Sequence, residues 1–516
     1  MKTLETRVLI IGGGVTGTSL ARDLALRGVP CVLAEKRDLN AGASGGNHGL
    51  LHSGARYVAK DAEAARECRE EGELLKRLAP RCIENTGGLF VAVAGDDERY
   101  IADFPDMCRR SGIPVTPVAP AEAREMEPAL SNDLIAAFQV PDAAIDPFKL
   151  SLDNMAQATA HGARLLRHTR LVGFDLADGR IRTTRLTDTR AGTEIRVAAD
   201  YVISAAGAWA GEVAALAGVS IGVVCSKGTL LVTQDRITRR VVNRLRPAAD
   251  GDIVVPGGTV SILGTTSIRV ASPEAIRPTI AEADQIIAEG AAMVPRLADA
   301  RYIRAYCGVR PLISAGGGEG DRGLSRGFAL LDHAAEGVAN FATISGGKLT
   351  TFRLMAEKTA DLICDRLGVT VPCQTRTVPL PGTNRGRWTE PGKGPRSWAA
   401  GADPDDLLLC ECEMVSQRAV DQIAAAIRDA GAPLTLEAVG LRSRVGKGPC
   451  QGCFCSQRIA GHLYDRGDFS GNQGPAALRE FLNERWRGAR PILWDLPLMQ
   501  AELQEALHCG LFSLET

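Results

Sequence analysis

The chain has 516 residues, more than one ordinary domain holds, and is 45% hydrophobic and 23% charged, so two or three units with true cores are expected. Sixty basic residues against 61 acidic leave a net charge near zero, which argues against a bulk nucleic-acid partner. From Met1 to Arg7 there is neither an apolar stretch nor a small-residue cleavage site, and no apolar run of about 18 residues follows, so neither an export signal nor a membrane span is expected. The default location is therefore cytoplasmic.

Val8-Leu9-Ile10-Ile11 is a continuous apolar run, as a strand buried on both faces should be. Gly12-Gly13-Gly14-Val15-Thr16-Gly17 follows, then helical spacing from Thr18 to Arg27, a stop at Gly28, and a second buried strand, Cys31 to Ala34, that ends at Glu35. This is a βαβ unit carrying G-x-G-x-x-G. Gly12 permits the tight turn, Gly14 lets a pyrophosphate approach the backbone, and Gly17 lets the helix pack on the strand. The helix N-terminus offers unpaired N–H groups to phosphate, and Glu35 stands where a carboxylate would hold ribose hydroxyls. The motif alone does not separate FAD from NAD. Its position at the start of the chain favours FAD, as does a later strand, Tyr201 to Ser204, that runs into Ala205-Ala206-Gly207-Ala208-Trp209. The fold class expected is α/β, with alternating strands and helices to about residue 375.

Residues 381–403 are rich in glycine and proline and read as a linker. Residues 404–470 form a cysteine-rich module, and 471–516 a tail in which Leu478 to Trp486 is helical. Of 14 cysteines, eight are scattered before residue 410 and five fall between Cys410 and Cys455. In a long chain without an export signal this clustering points to metal or redox use rather than disulfides. Cys410 and Cys412 form C-x-C; Cys450, Cys453 and Cys455 follow after 37 intervening residues. Four thiolates are the usual ligand set of a 2Fe–2S cluster, and also bind structural zinc; C-x-C is less usual for zinc than C-x₂-C.

Several segments carry a family likeness. The run from Gly42 to Tyr57, with Ser44, His48, His52 and Arg56 in it, resembles the loop facing the flavin ring in FAD-dependent glycerol-3-phosphate dehydrogenases. So do Val140-Pro141-Asp142 with Asp146-Pro147-Phe148, Gly264-Thr265-Thr266, Gly308 to Leu312, and Ser345-Gly346-Gly347-Lys348-Leu349-Thr350-Thr351-Phe352-Arg353. With the cysteine module attached, the chain resembles the catalytic A subunits of the anaerobic, membrane-associated enzymes over nearly its whole length. Gly46 departs from the pattern, standing where those relatives are expected to carry arginine.

The resemblance implies a D-amino-acid-oxidase-like architecture over residues 1–380. A Rossmann-like FAD-binding domain would interweave with a substrate domain drawn from about 90–150 and 220–320. The reaction implied is oxidation of sn-glycerol 3-phosphate to dihydroxyacetone phosphate. Arg310 and Lys348, with Arg56 beside them, would take the phosphate and hydroxyl side, matching a dianion's need for cations, ideally planar bidentate donors such as arginine. His52 is the first choice of base and His48 the second; His333 could orient a neighbour. Ala206, Gly207, Gly346, Gly347, Leu349 and Thr350 would line the flavin.

The cysteine module resembles the bacterioferritin-associated ferredoxin-like 2Fe–2S domain, an α-rich fold. Cys410, Cys412 and Cys450 are implied ligands; the relatives with Cys-Gln-Gly select Cys455 as the fourth, while the small ferredoxin selects Cys453. The family also implies two further subunits, a second flavoprotein and an iron–sulfur membrane anchor leading to the quinone pool. A peripheral place on the inner face of the cell membrane follows from them. A flavin dehydrogenase of an amine, opine or 2-hydroxy acid on the same plan is the alternative reading, and a redox sensor without turnover is a third.

Overall fold

The structure is a computed structural model describing residues 2–274, 276–313, 327–381 and 403–514. Its first layer is an eight-stranded sheet with β1 (Lys2–Ile11) at the centre, parallel to Glu194–Ser204 on one side and to β2 (Cys31–Ala34) on the other. Arg164–Leu166 lies parallel beyond β2, and Phe341–Gly346 lies parallel beside Ser204. Strand β1 begins six residues before the apolar run, because pairing of Lys2–Thr6 with Ile195–Ala199 carries the ladder outward over residues whose burial is mixed. Its last four residues are wholly buried, as a parallel strand covered on both faces requires. Helix α1 (Val15–Leu26) packs against Pro147–Ala160 and Phe352–Leu367, and together they close the core around Val8, Ile10, Leu20, Leu24 and Ile363.

A nine-stranded sheet forms the second layer. Its strands come from two stretches, Gly88–Val140 and Val223–Ile313, and the long antiparallel pair Val223–Thr233 with Tyr302–Ile313 forms its spine. A second core, including Leu89, Leu231, Val254 and Ile286, lies between this sheet and the helix Ile280–Met293. That helix starts with a capping box: Thr279 Oγ1 accepts the Glu282 N–H, and Glu282 answers the Thr279 N–H.

The expected linker lies outside the described residues except at its ends. Beyond it, a short hairpin (Leu408–Cys410 with Val415–Ser416) and the helices Gln417–Asp429, Leu436–Arg442, Cys455–Asp465 and Gln473–Ala489 share one core around Val420, Val439, Ile459 and Leu482. Within the stretch read as a tail, Gln473–Ala489 contains the expected helix, and a further helix, Asp495–Phe512, follows it. The cysteine module sits on the first two layers through polar and charged contacts. Arg442 meets Asp38 at 3.0 Å, Thr259 donates to Glu413 at 2.6 Å, and Lys447 lies 4.4 Å above the Phe148 ring.

Candidate active site

The turn after β1 is built by close backbone approach. Gly12 has φ +116°, and a Cβ there would stand 2.5 Å from the Ala205 carbonyl oxygen; one at Gly17 would stand 2.0 Å from that of Gly12. These two glycines let strand, turn and helix touch. Gly14 caps α1, and the Val15 N–H at the helix start donates to Ser44 Oγ at 2.9 Å. Glu35 braces the same turn, accepting the Gly13 N–H at 2.7 Å and the Arg37 N–H at 2.8 Å.

Above this turn opens a cavity of about 1000 Å³, the size class of a large cofactor with its substrate. Gly12, Gly14, Glu35 and Ser44 line one end; Ala206, Gly207, Gly346, Gly347 and Leu349 line the flank. His52, Arg56, Arg310 and Lys348 reach its far part, with His48 and Tyr57. These expected residues thus share one wall system, assembled from segments 12–57, 206–207, 308–310 and 346–349. Gly17 and Thr350 do not face the cavity. Thr350 is fully buried and acts from behind, its hydroxyl accepting the His52 N–H at 3.0 Å.

The far part is cationic and tightly held. Tyr57 Oη lies 3.3 Å from His52 Nε2, Lys348 Nζ stands 4.9 Å over the Tyr57 ring, and the His48 and His52 rings meet edge-on at 6.2 Å. Arg310 donates to the Thr266 carbonyl at 3.1 Å and to the Thr265 hydroxyl. Arg56 pairs with Asp252 at 2.9 Å. Arg56 Nη1 and His48 Nδ1 are buried without a hydrogen-bond partner. Burial, reinforced by the charges of Arg310 and Arg56, pushes the His48 imidazole down to about 3, so it is neutral. Two buried unpaired nitrogen atoms beside a row of cations fit an anionic ligand. His333 stands elsewhere, stacked on Phe341 and 2.9 Å from Thr343 Oγ1. The expected role for it as an orienting group has no contact with the cavity.

Residues 7–362 match the family model for FAD-dependent oxidoreductases. The chain is 40% identical to the A subunit of the anaerobic glycerol-3-phosphate dehydrogenase of Escherichia coli K12, with 100% of this chain and 99% of that protein aligned. The corresponding A1 subunit of Haloferax volcanii is also 40% identical, over 98% of this chain and 90% of its own length. This chain belongs to the FAD-dependent oxidoreductases, among the A subunits of anaerobic glycerol-3-phosphate dehydrogenases. Its fold is that of the glycerol-3-phosphate dehydrogenase from Bacillus halodurans solved with FAD, at a TM-score of 0.67 and 21% identity, covering 95% of this chain and 96% of that one. A Mycoplasma pneumoniae L-α-glycerophosphate oxidase with FAD bound, also 21% identical, aligns at 0.57 over 70% of this chain and 95% of its own.

Within this flavoprotein, Gly46 has a plain physical setting. A Cβ there would lie 2.7 Å from Gly308 Cα, and one at Gly308 would lie 2.0 Å from the Gly46 carbonyl oxygen. The two backbones touch, leaving no room for the arginine expected of the relatives.

In the flavoprotein's C-terminal module, no group of three or more His, Cys, Asp or Glu among the described residues stands in a finished metal-holding arrangement. Four thiols are nevertheless mutual neighbours: Cys455 interacts with Cys410 and Cys450, and Cys450 with Cys412. The hydrogen bond from Cys455, with help from the Gly452 and Phe454 backbones, holds the Cys450 thiol down to about 5. Cys453 points away. It donates to Gln504 Oε1 at 2.8 Å and receives the Arg485 guanidinium.

Several residues of the site had no individual signal in the sequence. Asp252 is 196 positions from Arg56 in the chain. Tyr57 lay in the quoted loop, but only the fold brings its hydroxyl back to His52 five residues earlier.

Proposed function

We propose that the chain oxidises sn-glycerol 3-phosphate to dihydroxyacetone phosphate. The observation that carries this reading is the anion-ready end of the flavin cavity, where Arg56 Nη1 and His48 Nδ1 lack partners beside Arg310 and Lys348. A phosphate ester dianion satisfies both and has enough charge to reward four cationic or N–H donors in one place. The glycine turn, the α1 N-terminus and the flanking 346–349 segment accommodate FAD, which when bound accepts the C2 hydride.

The remaining work falls to the chain. Oxidation of the secondary alcohol also releases its hydroxyl proton, and His52 is positioned for it. Its backbone is pinned by Thr350 and its ring meets Tyr57. Lys348, over the Tyr57 ring, lowers the cost of the developing alkoxide. Arg310, anchored on Thr265 and Thr266, fixes the ester so that C2 is presented in one orientation.

Cys410, Cys412, Cys450 and Cys455 are the ligand set we assign to a 2Fe–2S cluster, which would supply a one-electron outlet. Their mutual contacts and the backbone groups directed at the Cys450 sulfur support this set, and the engagement of Cys453 with Gln504 and Arg485 speaks against it as the fourth ligand. Structural zinc is the competing occupant. No described helix is long and apolar enough to cross a membrane. A cytoplasmic chain would therefore reach the quinone pool through two further subunits, a second flavoprotein and an iron–sulfur membrane anchor.

Anaerobic mixing of the purified protein with glycerol 3-phosphate tests the reading. The flavin absorbance should bleach within a turnover, and glycerol, glycine, proline and lactate should bleach it far more slowly. Equal rates with glycerol and glycerol 3-phosphate would remove the dianion site. Iron rather than zinc should accompany the anaerobically purified chain.

A further inference from the structure

The final helix, Asp495–Phe512, is turned inside out. Helices of soluble proteins bury their apolar stripe and show water a polar face. Here Met499, Leu503, Leu507 and Leu511 are 59, 61, 53 and 72% exposed. Spaced four residues apart, they form one continuous row. The inward face is mostly polar, with Phe512 at its end packed on the module's core. His508 is 8% exposed and meets Gln457, while Gln504 takes the Cys453 thiol. Leu498 and Trp494 extend the exposed apolar surface toward the start of the helix. Together these side chains make an apolar patch on the order of 500 Å², the size of the largest patch on a typical monomer, which is often functional.

The place of the patch matters. Gln500, Ala501, Gln504, Glu505 and His508, on the inner side of this helix, line a cavity of about 320 Å³ together with Cys412 and Cys450. A body seated on the leucine row is therefore separated from those cysteines by one helix, a thickness of roughly 10 Å. Phe454, 61% exposed, stands next to Cys453 and Cys455 in the same loop.

Three occupants are conceivable: a second copy of this chain, a membrane surface, and a different protein. Charge decides among them. The helix carries Asp495, Glu502 and Glu505 and no lysine or arginine. Helices that lie on anionic bilayers have lysine and arginine along the polar face, so a membrane is disfavoured. A second copy would set another helix of the same acidic charge, with no lysine or arginine to pair with Glu502 or Glu505, against this one. A different protein with an apolar groove and a basic rim meets neither objection.

We infer that the row Met499, Leu503, Leu507 and Leu511 is the seat of a partner protein of the assembled enzyme, presenting an apolar groove with basic edges. This rests on the multisubunit reading above and assigns the surface that reading lacks.

The test uses the full chain co-expressed with the second flavoprotein and the iron–sulfur anchor. Leu503→Lys with Leu507→Lys should reduce retention of the chain by its partners about ten-fold, on the order of 1.4 kcal/mol. Both side chains face solvent, so dye-linked turnover of glycerol 3-phosphate by the variant should stay at the level of the unaltered chain. The single variant Leu511→Lys provides a milder second reading, with a partial loss of retention. Undiminished retention of the double variant overturns the assignment, as does failure of the unaltered chain to be retained. So does an unaltered chain that is a dimer alone and becomes a monomer in the variant, or one that floats with anionic phosphatidylglycerol vesicles through the same row. Retention that depends on the leucines, without turnover of glycerol 3-phosphate, upholds the docking face and sinks only the substrate reading.

Discussion

Asp252, wholly buried, accepts the Arg56 guanidinium at 2.9 Å and the Arg246 guanidinium at the carboxylate's other oxygen. The same oxygen that holds Arg56 also takes the Ala249 N–H at 2.6 Å. Arg56 is thereby fixed with Nη2 satisfied and Nη1 left for the cavity. Removing one partner of such a buried pair is costly because the remaining charge is stranded. Asp252→Asn should lower kcat/KM for glycerol 3-phosphate about ten- to a hundred-fold, roughly 1.4–2.8 kcal/mol of lost transition-state binding. The loss should appear mainly in KM in dye-linked assays, with flavin content retained. An unchanged KM would detach Asp252 from substrate binding.

The touching backbones of Gly46 and Gly308 give a second test. Gly308→Ala places a methyl group against the Gly46 carbonyl, and neither strand nor loop can retreat without moving the cavity wall. Destabilisation of about 1–3 kcal/mol is expected, read as a lowered denaturation midpoint, with weaker flavin retention. Gly46→Arg, the residue expected of the relatives, should be at least as damaging in this chain. A stable, fully flavinated Gly46→Arg protein would show that the loop has a second position.

The thiols can be ranked by their contacts. Cys410→Ser, Cys450→Ser and Cys455→Ser should each lose or alter the visible and paramagnetic signals of the iron centre, because the harder oxygen donor is less readily deprotonated. Cys453→Ser should keep them, since that side chain serves Gln504 and Arg485. Substrate should still bleach the flavin in a single turnover in all four. The reverse ranking of Cys453 and Cys455 in electron paramagnetic resonance would exchange their roles.

The neutral state of His48 has a stability signature. Its folded pKa is lowered to about 3 by burial and then by Arg310 and Arg56, while the unfolded ring titrates near 6.5. Between these values the unfolded state binds the proton and the folded state does not. Stability is therefore complete above about pH 6.5 and is lost as pH falls below it, by up to about 1.4 kcal/mol per pH unit and less to the extent that the ring is wetted. His168 and His333 are lowered too, each chiefly by burial, and act in the same direction. His48→Gln should flatten the fall of Tm as the pH drops from about 6.5 to about 5. An equal slope in both proteins would refute the assignment.

What was legible in the sequence follows from range. The βαβ unit is local: a buried strand, a glycine turn and a helix leading into a second buried strand, so its chemistry reads directly from residue types. Arginine and lysine in glycine-flanked segments were legible one segment at a time. Their convergence depends on the two layers meeting, the first carrying Lys348 just beyond Phe341–Gly346 and the second carrying Arg310 on Tyr302–Ile313. The pairing of Thr265 with Arg310 was not legible although its segment was, and Asp252, which orients Arg56, carries no local signal, since a lone Asp looks like any surface residue until the sheet brings it inward. The terminal helix was missed for a related reason. In the sequence it reads as part of a tail, because its apolar row, Met499, Leu503, Leu507 and Leu511, packs on no core and faces out.

The central place of β1 also orders events in time. Its two neighbours in the sheet are residues 31–34 and 194–204, and the cavity wall that begins at the turn through Gly12 and Gly14 is closed only by residues 346–349. At a synthesis rate of roughly 5–20 residues per second, the roughly 330 residues between Gly14 and Gly346 take about 17–70 seconds to appear. Through much of that interval the glycine turn and α1 exist on the ribosome without the strand that should cover one edge of β1 or the segment that should flank the flavin. The dinucleotide turn at the N-terminus is thus the earliest part of the site to be made and among the last to be usable. Cofactor capture is a late event in the life of the chain, coupled to completion of the flavin-binding layer rather than to emergence of the motif.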